Sequence, residues 1–314
     1  MNSIIFPEGF IIEQENISLD LMNEHSRQWN IERYQLEKGK YFTTLHAVHT
    51  PRIQIAYSTY SNAIGIKGDH PKGTVLLSFF SENSSTIYQH TKLTKNQLVI
   101  TKDGDEIDLI LNNKCTTLTL AVEEKYFNDT FERYFFKTVE ELIKNKILLI
   151  KDEKSTELFK LISNWFLELQ EVSFIQMYGL NYSVIENLIL EELFSSISLK
   201  EERKKRKKFD ISVAKTMLHE SIEHDIEISQ FVKELDISKR QLYNLFKERY
   251  GYSPKQYFQT LRLNAIQKEL LFTNSDNTTI SDIAYKYGYR HMSHFANEYK
   301  IMFGELPSKT FKNK

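Results

Sequence analysis

Ser229-Gln-Phe-Val-Lys-Glu-Leu-Asp-Ile-Ser238-Lys-Arg-Gln-Leu-Tyr-Asn-Leu-Phe-Lys-Glu-Arg-Tyr-Gly251 and Ile280-Ser-Asp-Ile-Ala-Tyr-Lys-Tyr-Gly288-Tyr-Arg-His-Met-Ser-His-Phe-Ala-Asn-Glu-Tyr-Lys-Ile-Met-Phe-Gly304 carry one pattern twice. Each copy reads as a short amphipathic helix, a tight turn, a second helix opened by a polar cap, and a closing glycine. That order is a helix-turn-helix, whose second helix can lie in the DNA major groove.

Start and stop signals agree with this reading. Ser229 and Ser238 are placed to cap helices, because a hydroxyl there accepts an orphan backbone N–H. Leu242, Leu245 and Phe246 have the spacing of one buried helical face. Gly251 stands where a left-handed residue ends a helix. Ser253-Pro254 opens the next helix with proline in its first turn. That helix is expected to run to about Phe272, burying Tyr257, Phe258, Leu261 and Ile266 or Leu270. A polar loop, residues 273–279, leads to the second copy. There Ile283 and Ala284 pack inward, Gly288 makes the turn, and Phe295, Tyr299, Met302 and Phe303 line the buried face.

The outward residues follow by subtraction. Copy one leaves Lys239, Arg240, Tyr243, Asn244 and Lys247 facing out, and copy two leaves Arg290, His291, Met292, Ser293, His294, Ala296 and Asn297. Arg240 can fork onto guanine O6/N7 and Asn244 onto adenine N6/N7. Ser238, Lys239, Lys247 and Lys300 suit phosphates, which hold register without reading sequence. Any one of these residues could equally be a solvated surface position. Two reading helices on one rigid connector would enter successive major grooves, about 34 Å apart, with bending of the DNA.

The chain here resembles the AraC/XylS type of bacterial transcription regulators. The likeness rests on Ser238, Leu242, Leu245-Phe246-Lys247, Gly251, Ser253-Pro254, Tyr257, Arg262-Leu263, Ile283-Ala284, Gly288-Tyr289, Ser293-His294-Phe295, Lys300, Phe303-Gly304 and Pro307-Ser308, within residues 211–312. Val232, Ile266 and Leu306 depart from the family's usual alanine, alanine and serine, at core or cap positions. By resemblance the reading positions are Arg240, Tyr243 and Asn244, with Met292, Ser293, His294, Ala296 and Asn297.

The rest of the chain is of another kind. Residues 203–314 hold 21 Lys and Arg against 13 Asp and Glu, a balance of +8, while residues 1–202 hold 20 against 29, a balance of −9. The basic half is the one with the repeated motif, as a polyanionic partner requires. Strand-like runs recur from residue 30 to 122: Ile31–Leu36, Ile53–Ser58, Thr74–Phe80, Asn96–Ile100, Glu106–Leu111 and Thr117–Val122. Turn signals separate them at Lys38-Gly39, Gly65, Lys67-Gly68-Asp69, Pro71-Lys-Gly73, Asp103-Gly104 and Asn112-Asn113. Short strands at this spacing suggest a barrel or jelly roll able to hold a small ligand. In this position it resembles the cupin-like sensor domain of AraC-type regulators.

Three helical stretches follow, marked by Tyr126 to Phe135, by Leu158, Leu161, Ile162, Trp165, Phe166 and Leu169, and by Val184, Leu188, Ile189, Leu193, Phe194 and Ile197 over residues 180–199. Their apolar faces either pack on the barrel or form a dimer seam. The run Glu201-Glu-Arg-Lys-Lys-Arg-Lys-Lys208 reads as a solvated linker, or as a tail trailing over phosphates. Asp210 is expected to cap the next helix, 211–222.

Enzymatic chemistry finds little support. His46 and His49 are separated by three positions on a strand, so they point to opposite faces, and His70 and His90 stand apart. A single cysteine, Cys115, cannot form an intrachain disulfide and suits a reducing cytoplasm. No secretory signal and no membrane-length apolar run is evident.

The expected architecture is α+β. It comprises a cupin-like β-barrel sensor (1–140), a helical dimerisation or packing segment (141–200), a basic linker (201–210) and an all-α DNA-binding domain (211–314). The expected function is a cytoplasmic, sequence-specific transcription regulator, an activator. Expected partners are double-stranded DNA, RNA polymerase, a second copy of the chain and a small-molecule effector, with no metal or cofactor. The alternatives are a ligand-independent dimeric regulator, or a cupin-type metalloenzyme fused to a DNA-binding domain.

Overall fold

The structure is a computed structural model that describes residues 11–25, 29–81, 85–136, 138–143, 146–151, 155–170, 182–198, 211–223, 232, 235, 237–273 and 278–312. Ser229, the charged run 201–208 and Asp210, expected to be cap and linker, lie outside these residues.

Two antiparallel sheets form the N-terminal half. The larger is ordered β1 (Ile11–Ile17), β3 (Thr43–His49), β4 (Ile53–Tyr60), β11 (Cys115–Glu123), β6 (Thr74–Phe80), β9 (Gln97–Thr101), β12 (Ile147–Ile150) and β13 (Ile197–Ser198). The smaller is ordered β2 (Asn30–Gln35), β5 (Ile64–Asp69), β10 (Ile107–Leu111), β7 (Thr86–Tyr88) and β8 (Thr91–Lys92). Between them lies a core of Leu45, Tyr60, Leu76 and Val99 from the larger sheet and Ile64, Ile66, Tyr88, Ile107, Leu109 and Leu111 from the smaller. A short helix α1 (Leu19–His25) adds the fully buried Met22 to this core.

Each sheet is covered on its outer face as well. The larger carries α2 (Glu124–Phe135), α3 (Val139–Ile143), α4 (Ser155–Gln170) and α5 (Tyr182–Ser196), which bury Phe127, Phe131, Leu158, Ile162, Ile189, Leu193 and Phe194 against Val75, Leu77, Leu118 and Leu120. Sheets buried on both faces read as continuous apolar runs, which is why Val75-Leu-Leu in β6 shows no alternation. The inward faces of these helices thus pack on the sheet, as one of the two sequence readings had it. Residues Leu167, Val184 and Leu188 remain exposed.

The segment 141–200 is not wholly helical. Ile147–Ile150 pairs with β9 and Ile197-Ser198 pairs with β12, extending the larger sheet. Ile147-Leu-Leu-Ile150 is too short an apolar run to serve as a helix, and as a strand it buries Leu148 and Ile150 on one face and half-buries Ile147 and Leu149 on the other. Gly65 and Gly68, taken as turn signals, instead sit within β5. At Gly65 the Tyr34 ring lies across the backbone, and a Cβ there would come 2.1 Å from it. A glycine inside a strand is the mark of such close approach.

A buried carboxylate ties the helical layer to the sheet. Glu186 on α5 accepts from the Thr50 hydroxyl at 2.6 Å, from the Arg52 amide at 3.0 Å and from Arg52 Nε at 2.7 Å. The Arg52 guanidinium also stacks 3.7 Å from the Tyr126 ring centroid. Charge pairing with several hydrogen bonds is what lets a carboxylate sit at 1% exposure.

The C-terminal half is helical: α6 (Ser212–Glu220), α7 (Lys239–Tyr250), α8 (Pro254–Phe272), α9 (Ile280–Lys286), α10 (Met292–Phe303) and α11 (Pro307–Lys312). It packs on the outer face of the smaller sheet. Tyr34, Leu36, Ala63, Ile87 and Ile110 form one core with Ile211, Ala214, Leu218, Leu242, Phe246, Tyr250, Tyr257, Phe258 and Leu261. The molecule is therefore a stack of four layers: helices, larger sheet, smaller sheet, helix-turn-helix domain.

Candidate nucleic-acid interface

The second helix of the first motif is placed by its cap. Ser238 adopts an extended backbone, its hydroxyl accepts from the Gln241 amide at 3.2 Å, and Gln241 Oε1 accepts from the Ser238 amide at 2.9 Å. This reciprocal capping box sets the start of α7, so Lys239 and Arg240 occupy its first turn. Leu242, Phe246 and Tyr250 recur every four residues and are buried against the connecting helix and the smaller sheet. Lys239, Arg240, Asn244 and Lys247 are exposed on the other side, while Tyr243 is half-buried. Gly251 closes the helix at φ 79°, with its amide on Lys247 O.

The connecting helix α8 starts on a second capping box, Ser253 with Gln256, followed by Pro254. Its first half gives Tyr257, Phe258 and Leu261 to the core around the first motif. Its second half gives Leu263, Ile266 and Leu270 to the core around the second. One rigid rod thus forms a wall of both motifs.

The second motif opens on a cap that the sequence reading had placed in a loop. Thr279 and Asp282 form a capping box at α9, and these bonds hold the Asp282 carboxyl below its usual pKa. Gly288 turns at φ 82°, and a Cβ there would lie 3.2 Å from the Arg262 guanidinium, so both conformation and space call for glycine. The turn delivers α10, which buries Phe295, Tyr299, Met302 and Phe303. Its N-cap His291 makes no side-chain cap bond, so the polar cap expected in both copies is present only in the first.

Arg290, His291, Ser293, His294, Asn297 and Lys300 are exposed. Ala296 is half-buried, and Met292 packs in part on the core of the second motif. His294 Nε2 lies 3.4 Å from Glu298 Oε1, which also accepts from Gln259. A carboxylate beside His294 favours an amino group or a water there over a phosphate.

The sheet beneath the first motif was not foreseen as part of this site. Tyr257 on α8 places its hydroxyl 2.9 Å from that of Tyr34 on β2 and 2.9 Å from His219 Nε2 on α6. Lys215 on α6 is paired with Asp108 on β10, its side chain only 4% exposed, and burial pulls the ammonium below its usual pKa. Burial, with Lys215 and Lys67 nearby, lowers His219 to about 3, and desolvation pushes both tyrosines well up. His90 Nδ1 meets the Tyr250 hydroxyl at 2.9 Å. A faint signal existed in Ile107-Asp-Leu-Ile-Leu111: with Ile107, Leu109 and Leu111 turned to the core, Ile110 becomes an apolar residue on the outward face.

Among the described residues no group of three or more His, Cys, Asp or Glu side chains could hold a metal ion. His46 touches Glu15 at 2.8 Å and the Phe166 ring, whereas His49 pairs with Gln54, so the two imidazoles serve opposite faces of β3. No described helix is long and apolar enough to cross a membrane.

The family model described as a helix-turn-helix domain matches residues 231–313. A XylDLEGF operon transcriptional activator of Pseudomonas putida is 32% identical over 129 residues, 41% of this chain and 40% of that protein. The Msm operon regulatory protein of Streptococcus mutans is 26% identical over 141 residues, 45% of this chain and 49% of that one. The chain therefore spans less than half the length of these relatives. Among solved structures, the AraC-like transcriptional activator CuxR aligns at a TM-score of 0.44 and 12% identity, over 88% of this chain and 100% of that one. By its tandem motifs and these sequence matches, residues 231–313 are an AraC-type helix-turn-helix domain, and over that part the chain is similar to curated operon activators.

Proposed function

We propose that the protein is a sequence-specific DNA-binding transcription regulator, an activator, that reads two successive major grooves. The observation that carries this is the pair of helices α7 and α10, mounted on the one rod α8. They expose Arg240, Asn244 and Lys247 on one and Ser293, His294, Asn297 and Lys300 on the other. Arg240, Tyr243 and Asn244 read bases from the first helix. Arg290, His291, Met292, Ser293, His294 and Asn297 do so from the second, and Ser238, Lys239, Lys247 and Lys300 hold phosphates.

The test is selection from random duplex DNA with the full chain, followed by affinity against salt. A regulator yields one enriched sequence with two recognition blocks about 10–11 base pairs apart. Its affinity falls along a log–log slope of about −0.9 per phosphate neutralised. No enrichment, with salt-insensitive weak binding, overturns the reading in favour of a protein-binding role for the motifs.

Two further parts of the proposal rest on the N-terminal half. Exposed Leu167, Val184 and Leu188 on α4 and α5 suit a homodimer seam, which sedimentation of Val184→Asp, Leu188→Asp would dissolve. The Tyr88 hydroxyl, at 1% exposure between the two sheets, has no partner among the described residues and suits a small effector bound in a cupin-like interior. Native mass spectrometry of protein from its host checks it: a co-purified small molecule supports an effector, and an empty dimer a ligand-independent regulator. RNA polymerase would be the partner of a DNA-bound activator, and the cytoplasm its place.

A further inference from the structure

The two motifs are attached to the smaller sheet in different ways. The first shares a hydrophobic core with it, through Leu242, Phe246, Tyr250 and Tyr257 against Tyr34, Ile87 and Ile110. Among the described residues, the core of the second motif, built on Ile266, Ile283, Phe295 and Tyr299, contains no residue of either sheet. What joins the second motif to the sheet unit among the described residues is polar: the Lys268–Glu32 ion pair at 2.7 Å and a set of contacts around one strand end.

Those contacts converge on the end of β2 and the loop after it, residues 35–40. Asn264, midway along α8, accepts from the Gln35 amide at 2.8 Å and donates to Gln35 O at 2.8 Å, as a neighbouring strand would. The Gln35 side-chain nitrogen lies 2.6 Å from Glu37 O, 2.8 Å from Gly39 O and 2.9 Å from Met302 O. The Gly39 amide donates to the same Met302 O at 3.0 Å. The Lys40 backbone lies beside Gly304, the residue that ends α10.

Met302 is the penultimate residue of α10, and the last four carbonyls of a helix have no partner within it. Here one of them is satisfied twice by a loop about 265 residues away in sequence. The same loop grips the connecting rod at Asn264. Two attachment points on one rigid body, one on α8 and one at the C-terminus of α10, define its orientation where a single point would leave a hinge.

We propose that loop 35–40 is a latch that sets the second reading helix relative to the first, and that Gln35 is thereby a positioning residue for DNA recognition. The proposal rests on the DNA-binding reading above and adds to it a route from the sheet unit to the spacing of the two reading helices. The bonds to Met302 O come from the Gln35 side chain and the Gly39 amide, and water can replace them at a helix end, so they can open while Leu36 stays in the core shared with the first motif. The contact to the first motif cannot open in that way. A rearrangement of residues 37–40 would be transmitted to α10 while α7 stays seated on Tyr34, Ile87 and Ile110.

The test uses the full chain, its selected DNA site and a version with one base pair inserted between the two recognition blocks. Gln35→Leu removes the donor and keeps the bulk. The wild-type chain should lose binding steeply on the insertion. The variant should bind the unaltered site about fivefold more weakly and show a smaller penalty for the insertion. Gly39 amide exchange, read by NMR without DNA, should be slow in the wild type and fast in the variant. Unchanged affinity and unchanged spacing selectivity in a folded variant overturn the proposal, as does an unprotected Gly39 amide in the wild type. A wild-type chain that selects no DNA sinks the regulator reading instead, and Gly39 exchange then judges the latch alone.

Discussion

The Tyr34 and Tyr257 hydroxyls stand 2.9 Å apart in a buried contact, one on a sheet strand and the other on the helix that joins the two helix-turn-helix motifs. His219 completes the chain at 2.9 Å from Tyr257. With a neutral imidazole, Tyr34 can donate to Tyr257 and Tyr257 to His219 Nε2. Tyr257→Phe strands two buried polar groups and should cost about 1–3 kcal/mol. Tyr34→Phe leaves the Tyr257–His219 bond in place and should cost less. Urea denaturation midpoints at constant slope measure both.

Protonation of His219 breaks this arrangement. Its folded pKa, about 3, lies below the ordinary 6.5 because burial disfavours the imidazolium. Between those values the unfolded chain binds the extra proton, so stability is fully present above about pH 6.5 and declines as pH falls toward 3. His49, lowered by burial to about 4, acts in the same sense. The slope approaches about 1.4 kcal/mol per pH unit for each group. His219→Gln should flatten the acid limb of a melting-temperature profile, and an unaltered limb would remove His219 as its source.

Lys215 and Asp108 are a buried charged contact of the same interface. Removing one partner of a buried pair leaves an unbalanced charge, so Asp108→Ala should destabilise by about 3–5 kcal/mol. Replacing both, as Lys215→Met with Asp108→Leu, should recover most of that loss, since apolar packing often matches a buried pair. Calorimetric melting of the single and double variants decides it. A double variant no better than the single would mean that the pair itself supplies the stability.

Glu186 offers a comparable test away from DNA. Glu186→Ala leaves Arg52 and the Thr50 hydroxyl without their acceptor and should cost about 3 kcal/mol, detaching α5 from the β3–β4 turn. If α5 also carries the dimer seam, sedimentation should show the variant dissociating at lower dilution than the wild type.

The residues proposed to contact DNA separate by the kind of loss. Arg240→Ala or Asn244→Ala should cost about 1–3 kcal/mol on the selected site and relax preference at one base pair. Lys247→Ala and Lys300→Ala should weaken all sequences alike and each reduce the salt slope by about one. Quantitative binding to a panel of single-base site variants distinguishes the two patterns.

The motif half of the chain was legible in advance because its signals are local. Ser238 with Gln241, Ser253 with Pro254, and Gly251, Gly288 and Gly304 act through bonds and dihedrals within a few residues of themselves. The apolar spacing of Leu242 with Phe246, or Phe295 with Tyr299, states which helix face is buried. The cap at Thr279 was missed because its partner is aspartate rather than the usual Glu or Gln.

The sequence by itself determined the two motifs, the buried faces and closing glycines of their second helices and the six strand-like runs, whereas Tyr243, Met292 and Ala296, expected to face out, are half-buried. Only the tertiary structure decided what each buried face is buried against. Periodicity marks Tyr34, Leu242 and Ile110 as apolar positions but cannot pair strand with helix across a separation of about 200 residues. Nor could a lone Gln35 announce that it would cap a helix ending at Phe303, because the unsatisfied carbonyl and its donor meet only once the chain has folded. Local chemistry set the elements, and long-range hydrogen bonding and burial set how the sheet unit holds them.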